Sequence, residues 1–392
     1  MLHVITGLNV GGAETMLARL LEQTTGVPGH STEVISLLPP GPAAERVTRI
    51  GVPVHHLGMR VGRPSLGAAL RLVTLARRLR PDLVMGWMHH GQIAATVMAL
   101  AAPGRPPVIW NVRHSLDGLT EEKPLTRVLL RIQALLSRTP RAIIYNSRNA
   151  AAQYALIGFD TRRAQVVPNG FEIPPPCSRE TTRNLIHAEF GIRPEPLLIA
   201  MVARNHPMKD VPNLVAAFGH LIAAGVDAHL LIAGQGMDHP ERPVADLLDT
   251  IPRARWTLSG HRSDVSGWLG GVDILALPSA WGEGFPNIVG EAMAAGVPCI
   301  VTDVGDAGWL VGETGQVVRP GDPEDLAAAL LDLHRAGAAG RLALGQKARE
   351  RIVRNFALAD VARRYVDLCR SVAARPRSAA AFPLAPAQGE AS

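Results

Sequence analysis

Cysteine is scarce in this 392-residue chain, and Cys177, Cys299 and Cys369 lie too far apart for a disulfide framework or a thiolate zinc site. Aromatics are only 4 % and no recognition motif accompanies the basic charge, which argues against a nucleic-acid partner. The longest apolar runs, such as IAATVMALAA at 93–102, are about half the ~20 residues of a spanning helix. The opening MLHVITG enters a strand-like run without a charged leader and cleavage site, so export is not expected and a cytoplasmic protein is. The G-x-G-x-x-G fingerprint, the Walker lysine and the G-x-S-x-G elbow are all missing, which makes simple dinucleotide enzymes, P-loop NTPases and serine hydrolases poor readings. No Asp-x-Asp pair closes a strand, so neither a divalent metal nor a cofactor is expected. Lysine is rare too, three against 37 arginines, so a lysine is not the default cation at any position.

What is present is an alternation of short Val/Ile-rich runs with longer helical patterns. HVIT (3–6), EVISL (33–37), DLVMGW (82–87), VIWNV (108–112), AIIYN (142–146) and VVP (166–168) read as strands, and the rotation restarts after the Pro-rich PNGFEIPPPCSRE. The second series is LLIAMVA (197–203), AHLLIAG (228–234), RWTLSG (255–260), DILALP (273–278), PCIVT (298–302) and GQVV (315–318). Such rotation specifies an α/β class with parallel sheets covered on both faces. The expected division is 1–172, 173–355, a C-terminal helix over 356–374 that could return to the first domain, and a disordered tail over 375–392. Charge is uneven: residues 1–175 hold 19 basic against 10 acidic residues, a balance of +9 within a net +6. Arg71, Arg77, Arg78 and Arg80 close one helical pattern, while Lys123, Arg127, Arg131 and Arg138 recur among leucines in another. That face suits an anionic membrane or a phosphorylated acceptor, or is simply solvated.

Ligands of open parallel sheets bind beyond the carboxyl ends of the strands, so the residues there carry the chemistry. In WGEGFPNIVGEAMAAG the loop SAWGEGFP leads into a helix starting at Pro286 or Asn287. The first-turn amides of Asn287, Ile288 and Val289 would favour a phosphate, with Glu283 and Glu291 accepting from hydroxyls on either side. The plainer alternative is a glutamate complementing the helix dipole and glycines shaping a turn. In VARNHPMKD, Arg204 and Lys209 would clamp a diphosphate, the alternative being a solvated loop before a helix capped by Asp210. Gly11 and Gly12, in TGLNVGGAET, permit close backbone approach to a ligand, although any tight strand-to-helix turn wants glycine. His89 and His90 follow one strand and Arg113 and His114 another, where a histidine is more often a hydrogen-bonding residue than a catalyst. Arg113 and Lys123 are candidates for an acceptor phosphate.

The E-x7-E pattern of Glu283 and Glu291, with G-F-P after the first and E-A-M-A-A-G-x-P from the second, resembles the retaining glycosyltransferases of the family 4 type, over roughly residues 1–372. The resemblance implies a GT-B fold of two Rossmann-like, doubly wound domains facing a cleft, with the donor in the second domain and the acceptor against the first. It implies that Glu291 holds the donor ribose, that Glu283 and His114 lie by the transferred sugar, and that Arg204 and Lys209 stabilise the departing diphosphate. It places Gly11 and Gly12 facing the donor and GHRSDV, with His261 and Arg262, near the nucleobase; Gly234 and Gly236 shape the adjacent loop. The loop residues Phe285 and Pro286 are counted with the donor site, and His89, His90 and Arg113 with the acceptor. The segment DVGDAGWLVGETG matches less well, which leaves Asp306 without a defined role.

The expectation is therefore a metal-independent hexosyltransferase taking a nucleotide diphosphate sugar, UDP-linked by preference, to a saccharide or polyprenyl-linked acceptor in surface polysaccharide assembly. Peripheral attachment to the inner face of the plasma membrane is part of that expectation. A nonhydrolysing nucleotide-sugar epimerase and a non-catalytic partner subunit are the rivals.

Overall fold

The structure, a computed structural model, describes residues 1–9, 11–27, 29, 31–60, 65–116, 123–175, 178–262 and 264–374. Cys177 and the expected tail lie outside the described residues. The chain divides into two compact units, one of Met1–Gly170 together with the chain from Leu358, the other of Phe171–Ala357.

The first unit holds β1 (Leu2–Ile5), β2 (Glu33–Ser36), β3 (Val54–His56), β4 (Val84–Trp87), β5 (Val108–Val112), β6 (Ala142–Tyr145) and β7 (Ala164–Val166). They form one parallel sheet in the order β3-β2-β1-β4-β5-β6-β7. β1, β4, β5 and β6 are buried at every position, as strands covered on both faces must be, and this is why they read as unbroken apolar runs. The sequence reading missed β3. Its residues Val-His-His carry one apolar side chain, and at the sheet edge nothing demands more. β7 pairs with β6 two residues earlier than VVP suggested.

The second unit holds β8 (Leu197–Val202), β9 (Ala228–Ala233), β10 (Trp256–Ser259), β11 (Ile274–Leu277), β12 (Cys299–Thr302) and β13 (Gln316–Val318), in the order β10-β9-β8-β11-β12-β13. Each sheet thus reverses direction once, between β1 and β4 in the first and between β8 and β11 in the second. At such a reversal the two flanking loops diverge to opposite faces and open a crevice at the carboxyl edge.

Apolar layers cover both faces of each sheet. In the first unit Leu17, Leu21, Met85 and Trp87 pack on one side and Leu72, Met98, Trp110 and Tyr154 on the other. The helix Leu358–Ala374 belongs to this unit, adding Val361, Tyr365, Leu368, Cys369 and Val372 to the layer over Trp87. In the second, Phe171, Leu198, Val289 and Met293 oppose Leu214, Phe218, Leu230 and Leu330. Among the described residues no helix is long and apolar enough to cross a membrane.

Candidate active site

The reversal in the second sheet makes β8 and β11 neighbours, with Ile199 opposite Ile274. Beyond β8 the chain makes a single 3-10 turn, Pro207–Lys209, then passes Asp210 in a left-handed backbone (φ 46°) into the helix Val211–Ala223. A non-glycine residue held there costs on the order of 1 kcal/mol, and burial also raises the Asp210 carboxyl above its usual range. Beyond β11, Ala280 N–H donates to Met208 O at 2.9 Å, tying the two loops together.

That tie brings Lys209 onto Glu283. The Lys209 ammonium pairs with Glu283 Oε1, and Ser279 Oγ donates to the same oxygen at 2.5 Å. Glu283 is buried, so its charge requires such donors; burying a carboxylate unpaired would cost several kcal/mol. Ser279 is itself held by Thr302 at the end of β12, whose hydroxyl donates to Ser279 O at 2.5 Å. From the next loop Asp306 N–H donates to Gly284 O at 2.9 Å. This works because Gly305 takes φ 61° and has no Cβ, which would overlap the Glu283 carbonyl. Three adjacent strands therefore converge on one carboxylate, and Asp306 gains a backbone role.

The helix Asn287–Ala294 begins directly after this loop, with Pro286 at its N-cap. First-turn amides have no carbonyl partner within their own helix, and Glu291 follows one turn later, partly buried. Phe285 corrects the sequence reading. Its ring is buried, with centroids 6.1 Å from Phe171, 5.3 Å from Trp309 and 5.3 Å from Phe356. It anchors the loop in the core instead of meeting a ligand. Val289 is fully buried likewise, leaving only its backbone for the site.

Arg204 is exposed beside this loop, its Nη2 3.9 Å from Met208 Sδ. His261 is exposed. Arg262 is already engaged: it donates to Asp264 and Glu189 at 2.5 to 2.9 Å and lies 5.3 Å from the Phe190 ring centroid. Those carboxylates raise its pKa, so its side chain is a surface tie in this arrangement and not a group aimed at a base. Gly234, at φ 143° after β9, lets the Arg204 loop pass where any Cβ would overlap Ala203 O.

In the first unit the reversal lies between β1 and β4. Gly11 is extended at the N-cap of the helix Gly12–Thr24, and the Glu14 carboxylate folds over it where a Cβ would stand. Burial raises the Glu14 pKa. Met88, directly after β4, has φ 60° and starts the helix Met88–Ala101. His89 Nδ1 lies 2.9 Å from Gln133 Oε1, while Gln133 Nε2 donates to Gln92 Oε1 at 2.7 Å and to His89 O at 3.1 Å. With its amide nitrogen committed, Gln133 accepts from His89, which makes Nδ1 the protonated nitrogen. His114 is exposed and meets the His89 ring edge-on, 6.0 Å between centroids; His90 is exposed.

Arg113 departs from its expected place against an acceptor. It donates to Tyr365 Oη at 3.2 Å and to Asn169 Oδ1, with its guanidinium 5.6 Å from the Trp87 ring centroid. Burial lowers its pKa and raises that of Tyr365. Arg113 thus holds the C-terminal helix to β5. The sequence reading missed Ser279, Thr302 and Gln133. Ser279 and Thr302 had one available signal, a small polar residue closing an apolar strand.

Residues 10–173 match the family model "Glycosyltransferase Family 4", and residues 196–336 match "Glycosyl transferases group 1". This chain belongs to the family 4-type glycosyltransferases. Its two parallel-sheet units are those of the GT-B fold. EpsF of Bacillus subtilis (strain 168), which carries a provisional glycosyltransferase name, is 27 % identical over 363 residues, covering 87 % of this chain and 88 % of EpsF. An Escherichia coli UDP-Gal:alpha-D-GlcNAc-diphosphoundecaprenol alpha-1,3-galactosyltransferase is 24 % identical over 63 % of this glycosyltransferase and 64 % of its own length. The crystal structure of Anabaena HepE in complex with UDP superposes with a TM-score of 0.79 at 20 % identity, covering 94 % of this chain and 99 % of that one.

Proposed function

We propose that this glycosyltransferase takes a hexose from a UDP-sugar, with retention of configuration, to a lipid-linked saccharide in surface polysaccharide assembly. The observation that carries the reading is the junction of Lys209 and Glu283 at the switch point of the second sheet, beside the N-terminus of the helix Asn287–Ala294. A diphosphate seated there meets a lysine, the first-turn amides and, from the neighbouring loop, Arg204. Glu283 and Glu291 then face the hydroxyls of the sugar and the ribose.

As the bond from the anomeric carbon to the diphosphate oxygen breaks, negative charge grows on that oxygen, and Lys209, Arg204 and the amides stabilise it. The acceptor oxygen forms its bond on the same face and passes its proton to the departing phosphate oxygen. No protein nucleophile is required. Glu283 positions the sugar.

Two features support the acceptor class. The name of the Escherichia coli relative specifies a UDP-galactose donor and a diphosphoundecaprenol-linked acceptor. The helix Pro124–Leu136 exposes Leu125, Val128, Ile132 and Leu135 along one face, with Arg127 and Arg131 beside it, a pattern suited to an anionic lipid surface at the inner face of the plasma membrane. Calorimetry with UDP-, GDP- and ADP-sugars on wild type and Lys209→Ala tests the donor: one nucleotide class binds and the substitution weakens it. Absence of binding for all three refutes the donor assignment, and an inverted anomeric centre in the product refutes the mechanism.

A further inference from the structure

A cavity opens at the amino ends of β4, β5 and β6, the edge of the first sheet opposite its switch point. It encloses about 570 Å³ and is lined by Arg80, Asp82, Leu100, Arg105, Thr139 and Arg141 among others. That volume is in the range of small-molecule sites. Three arginines against one aspartate leave the lining with an excess of two positive charges.

Two of these arginines have an unusual backbone. Arg80 (φ 43°) and Arg105 (φ 47°) are two of the four non-glycine residues with positive φ among the described residues. The other two, Met88 and Asp210, stand in the switch-point loops. Arg80 occupies the C-terminal cap of the helix Leu66–Leu79, a position where glycine relieves the strain of a left-handed conformation. Arg105 directly follows Gly104, yet it is also left-handed. In both places the chain carries an arginine where glycine would be easier, and both residues line the same cavity. Backbone strain of this kind persists where a side chain is needed in a particular place.

We infer that this cavity is a binding site for a phosphate group, separate from the donor site and independent of the reading proposed for it. Arginine forks suit phosphate oxygens geometrically, and Leu100 at the wall leaves room for an apolar continuation of the ligand. The phosphate could belong to a soluble ester or to a lipid headgroup, and the experiment separates the two.

The test uses the full chain bearing Arg204→Ala, which removes the exposed cation of the donor loops and leaves the buried Lys209–Glu283 pair intact, and dependence on Arg80 and Arg105 separates this cavity from those loops. Inorganic phosphate and glycerol 3-phosphate are titrated calorimetrically against this protein and against versions also carrying Arg80→Gly or Arg105→Gly. Because glycine suits a left-handed backbone, both added substitutions are expected to leave the melting temperature unchanged or raised while weakening phosphate binding at least tenfold. If glycerol 3-phosphate in solution shows the arginine-dependent binding, the source is a soluble ester. If only vesicles containing phosphatidic acid do so by flotation, the source is a lipid headgroup. Phosphate and vesicle binding that is absent, or indifferent to both arginines, overturns the inference. A lowered melting temperature with unaltered binding would assign the arginines to complementing helix C-termini and overturn it equally.

Discussion

Glu283 draws two donors onto one buried oxygen, and the consequences of removing each differ. Lys209→Ala leaves a buried carboxylate with Ser279 as its remaining donor, so it is expected to cost about 3–5 kcal/mol in stability as well as donor affinity. Glu283→Gln keeps an amide oxygen that can accept from both Ser279 and Lys209 and removes the charge, so it should lose less stability than Lys209→Ala while kcat falls about 10²-fold or more. Thermal melts paired with donor kinetics separate the two outcomes; a Lys209→Ala protein as stable as wild type would contradict the burial argument. His229 gives a residue-level pH prediction. Burial lowers its pKa to about 4, and its Nε2 lies 2.9 Å from Thr257 Oγ1. The unfolded chain takes up this proton near pH 6.5 and the folded chain resists it to about 4. Stability from this group is therefore present above 6.5 and lost as pH falls through that window, on the order of 3 kcal/mol. Denaturant titrations of His229→Gln should show a flatter profile between those pH values.

At the scale of the element, the helix Asn287–Ala294 lies directly on Phe171, and a Cβ at Gly290 would overlap the Phe171 ring. That ring stacks on Phe285, which anchors the loop carrying Glu283. Gly290→Ala must therefore push the helix away or displace both rings, at about 1–3 kcal/mol. Because the same helix presents its first-turn amides to the site, the substitution is expected to raise the donor KM as well as lower the melting temperature. Loss of stability with an unaltered KM would separate the packing from the site.

For the whole molecule, the return of the chain to the first unit is the main structural commitment. Tyr365 accepts from both Asn111 (3.1 Å) and Arg113 (3.2 Å), and its ring stacks parallel to Trp87. Tyr365→Phe keeps the stack and removes both bonds, for an expected loss of about 1–3 kcal/mol in a urea melt. Cys369 on the same helix is buried, which pushes its thiol up to about 12. A thiol reagent should label Cys369 slowly in the folded protein, as followed by peptide mapping, and faster in Tyr365→Phe, since labelling then reports release of the helix. Equal rates in the two proteins would mean that Tyr365 does not hold it.

The sequence by itself determined two parallel α/β units and which residues stand beyond the carboxyl ends of their strands. Buried parallel strands must be apolar throughout, and a helix start, a glycine turn and a rare lysine keep their meaning in one dimension. It could not determine that Lys209 and Glu283, 74 residues apart, would share an oxygen, because this depends on β8 lying next to β11 and periodicity carries no strand order. Nor could it separate the side chains that line a site from those that hold it. Phe285 and Arg113 stand in site-like positions along the chain, but the first faces an aromatic cluster and the second a returning helix. The direction of a side chain from a loop is fixed by what packs around it, and only the tertiary structure supplies those neighbours.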